Sequence, residues 1–495
     1  MRLNRRQFLG AAAAGAAVSI VSRRVLGGAA HVPPSETIHV GYVGCGTQGL
    51  RQLMEALPKQ EIRVIAVCDP NRQTDDYPQW GPDELNSKVR AFLGDPAWAK
   101  GIAGGRCGRE VGLKVVNTHY ARQNTAADCR AYADFREMLD KEKDLDAVYN
   151  MTPDHLHGTV VVRAMRAGKH AITHKPVANV LSEVRLARDT ARETGAAAAL
   201  FCAAGSPAAA TMREWIDAGA IGPVREVHNW TTRPFWPQGM TDLPADTPPV
   251  PDGLDWDLWL GPVPHRAYHP AYTHSVFRGW YDFGTGALGD MGHYSFCQIF
   301  RVLDLGSPTS VEAGRSQYWS IRNYTWHKEV NRVSFPRASI IRWEFPARGD
   351  RPPVTLTWYD GGMRPPVPKE LEADGEPLPD EGMLFVGDTG KLLAGFTGDR
   401  PRLIPKARMR EFKPPAPTLP RPIGELDQWI RAIRGEKPSD ASFENVYPFA
   451  ETILVGAAAL RFDKKLAWDS AKAAFTNDAQ ANRLLTRTYR QGWEL

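Results

Sequence analysis

Six residues near the start of the chain, Gly44-Cys45-Gly46-Thr47-Gln48-Gly49, have the G-x-G-x-x-G spacing, and a carboxylate, Asp69, follows twenty residues after the last glycine. Such a pattern can cradle a diphosphate. The first glycine permits a tight turn, the second lets backbone approach a pyrophosphate, and the third allows a helix to pack closely on a strand. The phosphates then sit at a helix N-terminus, where free N–H groups and the dipole favour negative charge. A carboxylate at Asp69 accepts hydrogen bonds from adenosine ribose hydroxyls and repels a 2′-phosphate, which favours NAD. Arg72 is close enough in sequence to meet that phosphate, so NADP stays open. Asp69, standing before Pro70, also fits a plain turn residue.

These residues need elements to hold them. Residues 37–43 read as a buried strand running into the loop, residues 50–57 as a helix, and residues 62–68 as a second strand ending at Asp69. Residues 71 to about 125 are rich in Gly, Asp and Arg and read as an insertion. The rhythm resumes with a helix over 132–139, a strand over 146–150, and a loop from Met151 to His157. A helix over 159–167 stops at Gly168, and a strand over 170–173 ends in His174-Lys175-Pro176. The first domain therefore spans residues 36–177 and the second 178–495. In the second, residues 341–345 and 354–358 alternate apolar and polar, as half-buried strands do. A Pro-rich stretch over 413–421 reads as a linker before C-terminal helices.

A chain of 495 residues is long enough for two domains. With 43% hydrophobic and 24% charged residues and a mean hydropathy of −0.38, it is neither disordered nor polytopic in a membrane. Six cysteines without a Cys-x-x-Cys pair exclude a disulfide scaffold and a zinc ribbon. The net charge of +5 resides in residues 1–30, which hold five arginines and no acid. Without them 56 basic residues face 56 acidic ones. Nucleic acid is therefore not an expected partner. Arg5-Arg6, the small-residue apolar run from Gly10 to Val21 and Gly28-Ala29-Ala30 form a twin-arginine export signal. The expectation is a periplasmic or extracytoplasmic protein with no stable membrane insertion after cleavage. An uncleaved anchor or a basic N-terminal helix is the competing reading.

Taken together with Thr152-Pro153-Asp154, His157, Ala167-Gly168-Lys169-His170, Lys175-Pro176 and the run from Gly284 to Gly292, the glycine loop resembles the Gfo/Idh/MocA family, relatives of glucose–fructose oxidoreductase and inositol dehydrogenase. A weaker likeness continues through Trp256 to Pro262 and on to the end of the chain. The resemblance implies an α/β Rossmann domain followed by an α+β domain with an open, mostly antiparallel sheet. That sheet commonly builds a homodimer or homotetramer. It further implies cofactor contacts from Gly44, Cys45, Gly46, Thr47, Gln48, Asp69, Thr152, Asp154, His157 and Lys175.

Lys175 matches the lysine of the family's Glu-Lys-Pro motif, which hydrogen-bonds the nicotinamide side and the reacting hydroxyl. Asp290 matches the acid of Asp-x-Gly-x-His. Two positions depart from the pattern: His174 replaces the glutamate, and Tyr294 stands where the catalytic histidine is usual. On a helix His293 and Tyr294 are i+3 and i+4 from Asp290, so either can share its face. Tyr294, with a nearby Lys175 cation to lower its pKa, and His293 are the two candidates for proton transfer. Arg278 is placed to bind substrate hydroxyls or to make a surface salt bridge. His157 either meets the nicotinamide or caps a helix. No metal is expected, since His265, His269 and His274 have no regular ligand spacing.

Nicotinamide nucleotides are cytoplasmic metabolites, so an exported dehydrogenase needs NAD or NADP bound tightly and regenerated in place. The expected function is hydride transfer between that nicotinamide and a sugar, cyclitol or glycoside hydroxyl. A redox-neutral glycoside hydrolase, lyase or epimerase is the first alternative, and a non-catalytic sugar-binding relative is the second.

Overall fold

The computed structural model describes residues 33–495; the twin-arginine leader expected over residues 1–30 lies outside the described residues. In chain order the first unit's strands are β1 (Ile38–Val43), β2 (Ile62–Cys68), a separate pair β3 (Thr74–Tyr77) and β4 (Gly105–Cys107), then β5 (Arg130–Tyr132), β6 (Ala147–Asn150), β7 (His170–Thr173) and β8 (Ala198–Leu200). All but β3 and β4 form a parallel sheet in the order β5-β2-β1-β6-β7-β8. β6 is buried throughout and β1 nearly so, as expected for parallel strands covered by helices on both faces. Val43 lies level with both Cys68 and Asn150, so the loops after β1, β2 and β6 leave the sheet together. The strand order reverses between β1 and β6, and a crevice forms outside the carboxyl ends there.

Several boundaries differ from the sequence reading; the helix expected over 132–139 is Phe135–Lys141, because Tyr132 closes β5. The 71–125 stretch is not all insertion. The Arg109–Arg122 helix buries Val111, Val115, Val116 and Tyr120 and supplies the crossover from β2 to β5. The excursion is confined to about residues 71–108, and the helix stripe was hidden by interspersed charged residues. The parallel sheet also runs past residue 177, because the Leu181–Thr194 helix crosses over to β8. The helix expected from 159 starts at Asp154, where Pro153 serves as N-cap and an acid in the first turn suits the dipole.

The second unit contributes β9 (Val224–Trp230), β10 (Ser310–Arg315), a separate hairpin β11 (Tyr318–Arg322) and β12 (Thr325–Glu329), then β13 (Ser339–Phe345), β14 (Val354–Tyr359), β15 (Gly382–Gly387), β16 (Gly390–Ala394), β17 (Arg402–Ile404), β18 (Leu466–Asp469) and β19 (Ala474–Phe475). Its nine-stranded sheet has the order β17-β16-β15-β9-β14-β13-β10-β18-β19, with β9 and β14 its only parallel pair. The expected alternation is present in β13, where Ile341, Trp343 and Phe345 are buried while Ile340 and Arg342 are exposed. Helices Gly286–Leu303 and Phe443–Ala459 cover the buried face. Phe296 packs edge-on to Trp343 and Trp358, at 5.5 and 5.8 Å between ring centroids. A Cβ at Gly456 would come within 2.3 Å of the Trp343 ring, so only glycine lets that helix lie so close. At the other end of the Gly286–Leu303 helix, the Thr285 hydroxyl donates to Asp154 Oδ2 at 2.7 Å and ties the second unit to the first. Among the described residues no helix is long and apolar enough to cross a membrane.

Candidate active site

The first and last glycines of the loop have a steric reason to be glycine. Gly44 has φ +100°, and a Cβ there would lie 2.5 Å from the Met151 backbone. At Gly49 a Cβ would lie 2.1 Å from the Gly44 carbonyl oxygen. Gly46 is the N-cap of the Thr47–Ala56 helix and makes no side-chain cap, so the first-turn amides have no acceptor from a cap. Gly44, Gly46, Thr47, Gln48, Asp69, Thr152 and Asp154 all border the cleft above this loop. Cys45 does not. Its thiol is fully buried and its N–H donates to Asp69 Oδ2 at 2.6 Å, so the amide orients the carboxylate and does not meet a phosphate. The Asn71 N–H donates to Asp69 Oδ1 at 2.8 Å. Burial pushes the Asp69 carboxyl up, and these two amides oppose it.

A dinucleotide's diphosphate fits this cradle: glycines where a Cβ would intrude, and a helix N-terminus open to an anion. The cleft itself has a volume of only about 90 Å³. The Tyr77 and His274 rings border it with their centroids 3.6 Å apart, and His274 Nε2 lies 3.0 Å from Asp76 Oδ1. One partner comes from the 71–108 excursion and the other from the second unit. The contact thus joins the two units beside the cleft.

A second cavity of about 840 Å³ shares Thr47, Gln48, His174, Ser275 and Arg278 with the cleft. Lys175, Asp290 and Tyr294 border it. Lys175, at the end of β7, makes a buried ion pair with Asp290, whose Oδ1 also accepts from Arg278 Nε at 2.7 Å. Burial alone would raise the Asp290 carboxyl, but the two cations outweigh it and hold it far below the usual carboxylate range. Arg278 is thus neither a surface pair nor a free substrate ligand; it shares Asp290 with Lys175 and borders both cavities.

Tyr294 corrects one expectation. Lys175 Nζ lies over its ring, 5.1 Å from the centroid, and is already paired with Asp290. Burial pushes the phenol up, with Cys202 and Asp290 adding to the effect, so the phenol stays protonated near neutrality. His293 is on the same helix but borders neither cavity. Its Nδ1 lies 2.6 Å from the Gly289 carbonyl, its ring packs against Phe449, and burial drives its pKa down to about 3.

His157 corrects another. It is 1% exposed and borders neither cavity, because its ring nitrogens face the carbonyls of Pro176 and Thr152 at 2.5 and 2.6 Å. It fastens the Lys175-Pro176 turn to the loop after β6. Asp154, beside it, has its carboxyl raised by burial against Arg278, His157 and Lys175. His174, in place of the family's glutamate, is kept neutral by burial and by Lys175, and lies 3.6 Å from Cys202 Sγ. Of the histidines weighed for a metal, His269 faces Asp246 and His274 faces Asp76, two separate partners. Sequence reasoning missed Tyr77 and the role of His274 over the cleft, since only the folded chain brings residues 77 and 274 together. It also missed Trp80 and Phe235, which border the larger cavity.

Comparison with known proteins matches residues 109–201 to the oxidoreductase family's NAD-binding Rossmann fold, and residues 214–333 and 360–495 to its C-terminal alpha/beta domain. A dTDP-3,4-didehydro-2,6-dideoxy-alpha-D-glucose 3-reductase of Streptomyces violaceoruber is 34% identical over 116 residues, 23% of this chain and 33% of that protein. The levoglucosan dehydrogenase of Pseudarthrobacter phenanthrenivorans is 30% identical over 111 residues, 21% of this chain and 28% of the relative. A glycosyl hydrolase family 109 protein of Shewanella pealeana is 26% identical over 209 residues, 39% and 38% of the two chains. The chain thus spans about a third of the length of these curated relatives. Among solved structures, the WlbA dehydrogenase of Bordetella pertussis, in complex with NADH and UDP-GlcNAcA, aligns at a TM-score of 0.51 and 14% identity, covering 88% of this chain and 99% of that one. The aldose-aldose oxidoreductase of Caulobacter crescentus aligns at 0.50 and 14%, covering 87% and 99%. These two share the fold. With both domain models matched in chain order over most of its length, the chain belongs to the Gfo/Idh/MocA oxidoreductase family.

Proposed function

We propose that the protein is an exported oxidoreductase that moves hydride between a tightly held NAD and a hydroxyl-bearing carbon of a sugar, cyclitol or glycoside. The observation that carries this reading is the buried Lys175–Asp290–Arg278 cluster where the glycine-loop cleft opens into the larger cavity. A bound nicotinamide supplies the hydride acceptor and donor. Asp290, held ionised, keeps Lys175 Nζ at the cavity wall to hydrogen-bond the reacting oxygen. Tyr294, kept protonated by burial, gives its proton to a carbonyl oxygen in the reducing direction. Microscopic reversibility makes the phenolate it leaves the base for oxidation.

NAD is favoured over NADP because Asp69 borders the cleft while Arg72 is exposed beside Gly253 and does not. Tight binding is supported by the Tyr77–His274–Asp76 contact over the cleft, and export by the arginine pair of the leader. Assembly as a homodimer or homotetramer is supported by the β11–β12 hairpin, whose Trp319, Ile321 and Trp326 are exposed.

The length of the family 109 alignment favours one second reading: transient oxidation of a sugar carbon acidifies the neighbouring C–H and permits glycoside cleavage without net redox. One experiment tests both. The purified protein is analysed for bound nucleotide, then its reduced-nicotinamide absorbance is followed while sugars and glycosides are added. Lasting reduction or reoxidation supports hydride exchange. Product release without net absorbance change supports the redox-neutral path, and failure to bind any nicotinamide nucleotide overturns both.

A further inference from the structure

The mouth of the 840 Å³ cavity carries two large aromatic rings that nothing in the fold explains. Trp80, in the 71–108 excursion, and Phe235, in the loop after β9, are each 75% exposed. Leaving such surface in water forgoes the stabilisation that burial brings. Each ring is held from one side by a guanidinium: Arg51 lies 4.1 Å from the Trp80 centroid and Arg233 lies 3.7 Å from that of Phe235. These arginines are themselves anchored, Arg51 by Glu84 and Arg233 by Glu381 at 3.5 Å. Both rings are therefore oriented before any ligand arrives, with most of their surface open at a cavity that also holds Lys175 and Asp290. Preorganised aromatic surface of this kind lowers the ordering cost of binding.

The charges around the cavity restrict what those rings can meet. Its cations among the described residues are Lys175, Arg233 and Arg278; Lys175 and Arg278 share one carboxylate, Asp290, and Arg233 faces Glu381. A sugar phosphate or a nucleotide diphosphate would have to compete with Asp290 or Glu381 for one of these cations. A pyranose ring needs none, since its C–H face stacks on an aromatic ring while its hydroxyls remain hydrogen-bonded. Cavities of roughly 300–1,000 Å³ enclose drug-sized ligands, so there is room beyond the one ring that reacts at Lys175.

We infer that Trp80 and Phe235 form an outer subsite for the second ring of a neutral glycoside, which makes a disaccharide or aryl glycoside the preferred ligand over a free hexose or a nucleotide sugar. This rests on the reading of the cavity as the substrate site. The test is calorimetric binding to the NAD-loaded protein of D-glucose, D-galactose and D-mannose, their disaccharides and p-nitrophenyl glycosides, and UDP-glucose. At least one glycoside should bind more tightly than its free hexose. That preference should fall about tenfold in Trp80→Ala and in Phe235→Ala, and largely survive in Trp80→Phe. Equal affinity for hexose and glycoside, a preference untouched by both alanine variants, tightest binding of UDP-glucose, or no binding of any glycoside would overturn the subsite. Glycoside binding that depends on Trp80 but never changes nicotinamide absorbance would keep the subsite and sink the oxidoreductase reading. Hydride exchange with hexose and glycoside alike would do the reverse.

Discussion

Asp290 and Asp360 are both buried aspartates of the second unit, 8% and 2% exposed, yet their environments drive them in opposite directions. Asp290 has two cations, Lys175 and Arg278, and stays ionised despite burial. Asp360, just beyond β14, accepts hydrogen bonds from the Ser339 N–H at 2.6 Å, the Ser339 hydroxyl at 2.8 Å and Trp358 Nε1–H at 2.9 Å, with no cation among these partners. Burial pushes its carboxyl up to about 7 in spite of those three donors. Hydrogen bonds alone do not offset desolvation here, whereas a pair of fixed charges does. The first arrangement borders a cavity and suits chemistry; the second knots β13 to β14.

The sharpest break of this contrast is Lys175→Met. Turnover should drop by about 10³-fold or more while bound nucleotide, quantified after denaturation, stays at the wild-type level. Activity within tenfold of wild type would show that the cluster is structural, like Asp360. Next, Asp290→Asn leaves two buried cations without their carboxylate and should cost about 3–5 kcal/mol in urea unfolding. Asp360→Asn disturbs only hydrogen bonds and should cost about 1–3 kcal/mol; equal losses would erase the distinction.

Tyr294→Phe should lower kcat by about 10²-fold, since it removes the phenol that borders the cavity. His293→Ala should reduce stability while leaving proton transfer in place, and a larger kcat loss there than in Tyr294→Phe would reverse the assignment. The last contrast is in pH dependence. Asp360 has a raised carboxyl, so the folded state holds a proton that the unfolded chain releases, and stability declines as pH rises from about 4 through 7. Asp290 has a lowered one, so its contribution is complete above about 4 and is lost on further acidification. Urea midpoints against pH should show the decline between 4 and 7 in the native protein and a shallower one in Asp360→Asn.

Local pattern made some of this visible in advance. The strand–loop–helix around Gly44 to Gly49 was legible because strand period, turn glycines and helix period occur within about twenty residues. The alternation in β13 was legible for the same reason. The Arg109–Arg122 helix was not, because its buried valines are interspersed with Arg, Lys and His that carry the opposite signal. Lys175 and Asp290 were identified as separate motif residues, but that they share one ion pair with Arg278 depends on three segments 12 to 115 positions apart.

The amino-acid order alone therefore pointed to the glycine loop as a phosphate cradle, put Asp290, His293 and Tyr294 on one helix, and fixed the net charge in residues 1–30. Those properties follow from composition and from backbone periods of two and 3.6 residues, which need no distant partner. Which way Tyr294 and His293 face, why Cys45 and His157 orient other groups instead of meeting cofactor, and how Tyr77 comes to cover the glycine loop were decided by packing. Burial and charge at each of these positions are set by neighbours that the chain brings together only when it folds.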